Sequence, residues 1–129
     1  MYRLLIYRFI LRGQIMENFG VQRIGAILQR KWAGEILDFL HDRPPQGRTE
    51  LTADLSARFG RQFCERVCTD TLRELRKEGL VGHRLQSSPR AAFYWLTPLG
   101  EDFYRGPMSD ALGWLSNHTE FNVRPEDMN

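Results

Sequence analysis

Gln62–Leu96 reads QFCERVCTDTLRELRKEGLVGHRLQSSPRAAFYWL, and two periodicities meet inside it. From Gln62 to Glu78 the apolar residues recur at helical spacing, placing Cys64, Val67, Cys68, Thr71, Leu72 and Leu75 on one side. Gly79 ends the run, because glycine tolerates the left-handed conformation that closes a helix. Beyond it the period falls to two. Leu80–Leu85 reads as a strand, Gln86–Arg90 as a turn and Ala92–Leu96 as a second strand. A helix followed at once by a β-hairpin is the unit from which the rest of the chain is read.

Upstream, Val21–Leu28 predicts a short helix with Val21, Ile24, Ile27 and Leu28 on one face. Trp32–His41 predicts a second, burying Trp32, Ile36, Leu37, Phe39 and Leu40. Pro44, Pro45 and Gly47 break the pattern into a loop. Leu51 opens the next element, with Thr52 placed to cap a helix that ends near Phe59 and Gly60. Downstream, Thr97 caps a helix with Pro98 at its first position, where the missing N–H does no harm. Gly106-Pro107 interrupts that helix, and Met108–Asn117 forms the last one. The predicted fold is mainly α with a small β-hairpin: a winged helix-turn-helix with flanking helices.

The 129 residues fit one compact domain, taken as residues 16–118 with a polar tail from Thr119 that is expected to fray. The apolar run of residues 1–15 carries Arg8 and Arg12, so it is too short and too charged to span a bilayer. It lacks the small-residue cleavage site of a secretory signal. It reads either as an extra helix packing on a partner or as an extension ahead of a natural start at Met16. Two cysteines four apart make no disulfide framework and suit a reducing, cytoplasmic compartment.

The net charge of +2 excludes nothing, but its distribution is informative. Residues 61–90 carry seven basic and four acidic side chains, whereas residues 101–129 carry two and six. The polar side of Gln62–Glu78 presents Arg66, Thr69, Asp70, Arg73 and Lys77. Arginine can bond two guanine acceptors at once and threonine can reach a base edge or a phosphate, so this face suits the DNA major groove. Asp70 sits where it can orient Arg66 or Arg73. The hairpin tip, Ser87, Ser88 and Arg90 beside Arg84 and His83, suits phosphate contacts next to that groove.

The run Thr69-Asp70-Thr71-Leu72-Arg73-Glu74-Leu75-Arg76-Lys77-Glu78-Gly79-Leu80-Val81 resembles the recognition-helix-to-wing segment of HxlR-type winged-helix regulators, a MarR-like group. Lys31-Trp32 and Leu96-Thr97-Pro98-Leu99-Gly100 are similar to two further marks of that family, and order and spacing agree over residues 19–118. The resemblance implies a dimeric transcriptional repressor or activator on double-stranded DNA. Its recognition helix would be residues 62–78 and its wing residues 83–95. The outer helices would make the dimer contact, through Ile24, Met108, Leu112, Trp114 and Leu115. It leaves room for a small-molecule or redox effector.

The chain departs from the family pattern in its long, proline-rich loop Asp42–Glu50 and in Cys64 at the recognition-helix start. Asn18-Phe19-Gly20 also stands where some members carry a cysteine, which counts against the family's redox-sensing mode.

Cys64 and Cys68 nevertheless form a possible thiol switch, set against plain core packing for two cysteines on an apolar face. They make an incomplete zinc set with His83, so no metal or other cofactor is expected. Phosphate-binding glycine loops, nucleophile elbows and His-Glu-x-x-His are absent, and His41, His83 and His118 fall in separate elements. The chain is therefore read as a binding protein and not an enzyme. The rival reading is a winged helix that holds a protein partner without specific DNA binding.

Overall fold

A computed structural model describes residues 18–87 and 90–122. The readings of residues 1–15, of Ser88 and of the tail beyond Asn122 lie outside the described residues. The chain divides into two compact units at Arg30. In the first, helix α1 runs from Asn18 to Leu28, three residues longer at its start than the apolar pattern indicates. Ile27 is buried, Ile24 and Leu28 are half-buried, and Val21 is exposed.

The second unit, from Lys31 onward, carries the remaining elements. Helix α2 (Ala33–Leu40) buries Ala33, Ile36, Leu37, Phe39 and Leu40. Trp32 precedes it with a positive φ of 74°, a conformation that bulky residues adopt only when packing holds them. The packing is aromatic: the Trp32 ring lies 4.9 Å from Phe59 and 5.4 Å from Phe63. Thr71 is the one buried polar side chain among the described residues, and its hydroxyl donates to the Lys31 carbonyl at 2.7 Å. Lys31-Trp32 thus anchors the start of α2 on the segments that carry Phe59, Phe63 and Thr71.

Strand β1 (Gln46–Gly47) and helix α3 (Arg48–Phe59) follow. Thr52 is not a cap. The helix begins four residues earlier, after Gly47, and the Thr52 hydroxyl donates to the Thr49 carbonyl inside it. A run poor in apolar residues hid this first turn, since only Leu51 and Leu55 are buried along α3. A short 3-10 turn, Gly60–Gln62, leads to helix α4 (Glu65–Lys77), so the predicted start at Gln62 is three residues early.

Helix α4 closes as the glycine predicted. Gly79 has φ 80°, its N–H donates to the Arg76 carbonyl, and the Leu80 N–H donates to the Leu75 carbonyl. This paired closure satisfies two end carbonyls and turns Leu80 into the core.

Strands β2 (Val81–Ser87) and β3 (Arg90–Leu96) pair antiparallel from Val81↔Leu96 to Ser87↔Arg90. Both extend further toward the tip than the apolar pattern showed. The sheet has three strands, because β1 pairs with β3 through Gln46↔Tyr94 and Gly47↔Phe93, giving the order β1-β3-β2. Two residues are too few to leave a period in sequence, which is why the loop concealed a strand.

Helix α5 (Pro98–Phe103) begins at the predicted cap. Thr97 accepts from the Gly100 N–H at 3.0 Å and donates its hydroxyl to the Gly79 carbonyl at 2.6 Å. A Cβ on Gly100 would stand 2.0 Å from the Leu80 carbonyl oxygen. The Thr-Pro-Leu-Gly run therefore clamps α5 against the corner where α4 turns into β2. At Gly106-Pro107 the helix widens into a π turn, Tyr104–Met108, since proline lacks the N–H of a regular ladder. Helix α6 (Ser109–Asn117) and a 3-10 turn, Thr119–Asn122, complete the described chain.

Candidate nucleic-acid interface

Helix α4 is strongly two-faced. Cys68, Thr71, Leu72 and Leu75 are buried, and the two leucines alone would each cost about 2–5 kcal/mol on truncation to alanine. Arg66, Arg73, Arg76 and Lys77 are exposed on the other side, with Thr69 and Asp70 half-buried between them. The projection that placed Arg66, Thr69, Asp70, Arg73 and Lys77 on one polar face is thus reproduced in the structure.

Cys64 is a correction. It is exposed, because it precedes the first helical turn in extended backbone and so does not share the face of Cys68.

The exposed charges are held loosely. Arg73 lies 3.5 Å from Asp70 and Lys77 lies 3.5 Å from Glu74. Such surface pairs contribute at most about 1 kcal/mol, so a phosphate or a guanine can displace the carboxylate. Asp70 pairs with Arg73, one of the two partners its spacing allowed. Arg66 has no ion-pair partner among the described residues. The Thr69 hydroxyl donates to the Glu65 carbonyl, leaving its lone pairs as acceptors.

An open hollow of about 550 Å³ lies on this face, lined by Arg48, Glu65, Arg66, Thr69, Asp70 and Arg73. Arg48 was not a candidate in the sequence, where it reads as one more loop charge. It stands at the first position of α3 and lies 3.6 Å from Glu65. Arg48 also lines a second hollow of about 350 Å³, with Thr49, Leu85, Arg90, Ala91 and Ala92. One arginine therefore joins the α4 groove to the hairpin tip.

Strand alternation divides the hairpin residues. His83, Leu85, Ser87, Arg90, Ala92 and Tyr94 share a face whose base, Val81 and Tyr94, is buried. Arg84 falls on the reverse face, lining a third hollow with Arg43, Pro45, Trp95 and Leu96. Arg84 and Arg90 therefore do not form one cluster. The His83 ring lies tilted against Tyr94, 5.1 Å between centroids, and burial together with the nearby Arg76 charge lowers its pKa below the usual histidine value.

Cys68 is fully buried, and burial, reinforced by Glu65 and partly opposed by Arg48, pushes its thiol up to about 11. A thiol so placed is protonated and unreactive at neutral pH, which favours core packing over a sensing role for this cysteine.

Met108 is a second correction. It is buried, with its sulfur 3.5 Å from where a Cβ on Gly34 would lie, so it belongs to the core rather than to an outer contact surface. Leu112 and Trp114 are 52% and 48% exposed, and Leu115 is half-buried. The Trp114 ring stacks on His118 at 4.0 Å and meets Phe121 edge-on at 5.0 Å.

The one group of metal-type ligands among the described residues is His41, Asp42 and Glu101. Each imidazole nitrogen is already engaged, Nδ1 at 2.7 Å from Glu101 and Nε2 at 3.1 Å from Asp42. Arg105 lies 3.7 and 3.9 Å from the two carboxylates. This cluster ties the end of α2 to α5. Burial works to raise the Glu101 pKa, but hydrogen bonds from His41 and the Asp42 N–H, with the charges of His41 and Arg105, outweigh it and hold the carboxyl below its ordinary value.

A helix pair, a two-faced third helix and a three-stranded sheet with a projecting hairpin define a known architecture. The fold is a winged helix-turn-helix. Solved structures bear this out. A transcriptional regulator assigned to the MarR family from Enterococcus faecalis V583 superposes with a TM-score of 0.64 at 26% identity, covering 82% of this chain and 91% of its own. The reduced form of the transcriptional regulator YodB from B. subtilis gives 0.59 at 20% identity, covering 73% and 86%. The transcriptional regulator ytfH from Salmonella typhimurium gives 0.59 at 21%, covering 78% and 84%. No family model and no curated sequence matches the chain. No helix among the described residues is long and apolar enough to cross a membrane.

In winged-helix terms, α3 and α4 are the helix-turn-helix pair and β2–β3 is the wing.

Proposed function

We propose that the chain is a dimeric, sequence-specific double-stranded DNA-binding transcriptional regulator of HxlR type. The observation that carries this reading is the continuity of the basic surface. Arg66 and Arg73 on α4, Arg48 at the head of α3 and Arg90 at the wing tip border two hollows that share Arg48. In this reading Arg66, Thr69 and Arg73 face base edges, Asp70 aligns Arg73, and Arg48, Lys77, Ser87 and Arg90 hold phosphates. Arg84, on the reverse face of the wing, is left out of that set.

The half-exposed Leu112 and Trp114, with Phe121 beside them, support a dimer contact through α6 and the turn after it. Two recognition helices related by a two-fold axis would read half-sites about one helical turn apart.

Selection from a randomised duplex pool at two salt concentrations, with mass in solution measured alongside, tests the proposal. A dimer that enriches a palindromic motif and weakens steeply in salt is the expected result. A chain that ignores duplex DNA at low salt overturns it and points instead to a winged helix that holds a protein partner.

A further inference from the structure

His83 differs from the other two histidines in what surrounds its ring. His41 lies between two carboxylates, and His118 places Nδ1 2.9 Å from the Trp114 carbonyl oxygen. His83 has neither kind of partner among the described residues. It is the half-buried third residue of β2, and the elements packed most closely on that strand are β3 and α4. From β3 the Tyr94 ring tilts against it, and from α4 the charge of Arg76 faces it.

The imidazole stands on the face that carries the phosphate-type groups. Strand alternation puts His83 with Leu85, Ser87 and Arg90. Leu85 and Arg90 line the hollow that shares Arg48 with the α4 groove. Arg76 is exposed in the last turn of α4, one residue before Lys77. A guanidinium and an imidazole from two elements thus meet beside the basic surface. In the free protein that meeting disfavours a second charge, since burial and Arg76 both hold the imidazole neutral, below the usual histidine pKa. A phosphate reverses the balance, because an anion near both groups attracts the guanidinium and favours the imidazolium.

We propose that Arg76 and His83 form a proton-coupled phosphate clamp, in which the imidazole takes a proton from solvent as a duplex phosphate arrives between α4 and the wing. The clamp rests on the DNA-binding reading and adds a pH response to it. Free His83 titrates below the ordinary value and bound phosphate raises it, so affinity climbs as pH falls between the two values and is flat outside them. A close opposite charge moves a pKa by about one unit or more, and each unit is tenfold in Kd, so the change should be about tenfold or more.

The test uses the full chain and the duplex selected from the randomised pool, with Kd read by fluorescence anisotropy from about pH 8 to about pH 5.5 at fixed salt. The parent should tighten about tenfold or more as pH falls. His83→Gln should lose that dependence while binding within about threefold of the parent at the alkaline end, where a neutral donor is kept. His41→Gln and His118→Gln should keep it. Arg76→Gln should bind more weakly at alkaline pH and respond less to acid, because without the second cation free His83 protonates at higher pH. An NMR titration of the His83 ring protons in the parent supplies a measurement that needs no variant: duplex should raise its pKa. Circular dichroism at each pH excludes acid unfolding as the cause. A parent affinity independent of pH, an unchanged dependence in His83→Gln, or a His83 pKa that duplex leaves in place overturns the clamp while the DNA-binding reading stands. A chain that ignores the duplex at every pH overturns both.

Discussion

Replacing Arg48 with alanine separates a phosphate contact from a fold contact. In the free protein Arg48 is tied to Glu65 by a 3.6 Å ion pair, but the two side chains are 47% and 61% exposed. A pair so solvated contributes about 0.2–1 kcal/mol, so the variant should unfold within about 1 kcal/mol of the parent. On DNA the same guanidinium is predicted to bond a phosphate, worth about 1.5–3 kcal/mol, less the cost of parting from Glu65. The net loss is about 1–2 kcal/mol, or roughly five- to thirtyfold in Kd.

The diagnostic is the salt dependence. Each phosphate neutralised adds about 0.9 to the slope of log K against log salt, so over a fourfold rise in salt the variant should lose about 3.5-fold less affinity than the parent. Fluorescence anisotropy on a selected duplex at four salt concentrations measures both quantities. Glu65→Gln gives the opposite sign, because it frees Arg48 and removes a negative charge from the groove, so affinity should rise. An Arg48→Ala slope equal to the parent's, with Arg90→Ala lowering it, would refute the assignment of Arg48 to the backbone. A parallel fall in affinity and in unfolding midpoint would refute the argument that its ion pair is structurally minor.

Other outcomes follow from the same geometry. Arg73→Ala should cost about 1–3 kcal/mol on the selected site and relax preference at one base pair, read by competition with single-substituted duplexes. Gly100→Ala should destabilise the fold by about 3 kcal/mol or more in urea, because its Cβ would meet the Leu80 carbonyl at 2.0 Å; a loss under about 1 kcal/mol would show that the α5 clamp can shift. In native protein one thiol, Cys64, should react with a disulfide reagent, while Cys68, pushed up to about 11, reacts only in denaturant. Two fast thiols would disprove the burial argument. The Glu101 carboxyl has a folded pKa below its ordinary 4.5, so its contribution to stability is full above that pH and is lost as pH falls through the depressed value. The stability gap between parent and Glu101→Gln should accordingly shrink on acidification from pH 5.5, and a constant gap in urea titrations would contradict the sign.

What the sequence determined by itself was periodicity and local chemistry. The α4 face, the stop at Gly79, the two strands and the Thr97–Pro98 cap were legible because each depends on neighbours within four residues. The start of α3 at Arg48 and the strand Gln46–Gly47 were not, since one carries few apolar residues and the other is too short to show a period. Cys64 and Met108 were misplaced for a related reason. Both have the spacing of a neighbouring pattern, but an extended residue ahead of α4 and a π turn at Pro107 rotate them to the other side.

The site depended on tertiary structure more than the fold did. Arg48, Arg66 and Arg90 come from three separate elements, and only the pairing of β1 with β3 carries the head of α3 toward the wing. Arg84 and Arg90 are six residues apart in a basic stretch, yet strand alternation and the hairpin register send them to opposite faces. Amphipathic spacing fixes which side of an element is buried, whereas which charges share a surface is fixed by how the chain returns on itself.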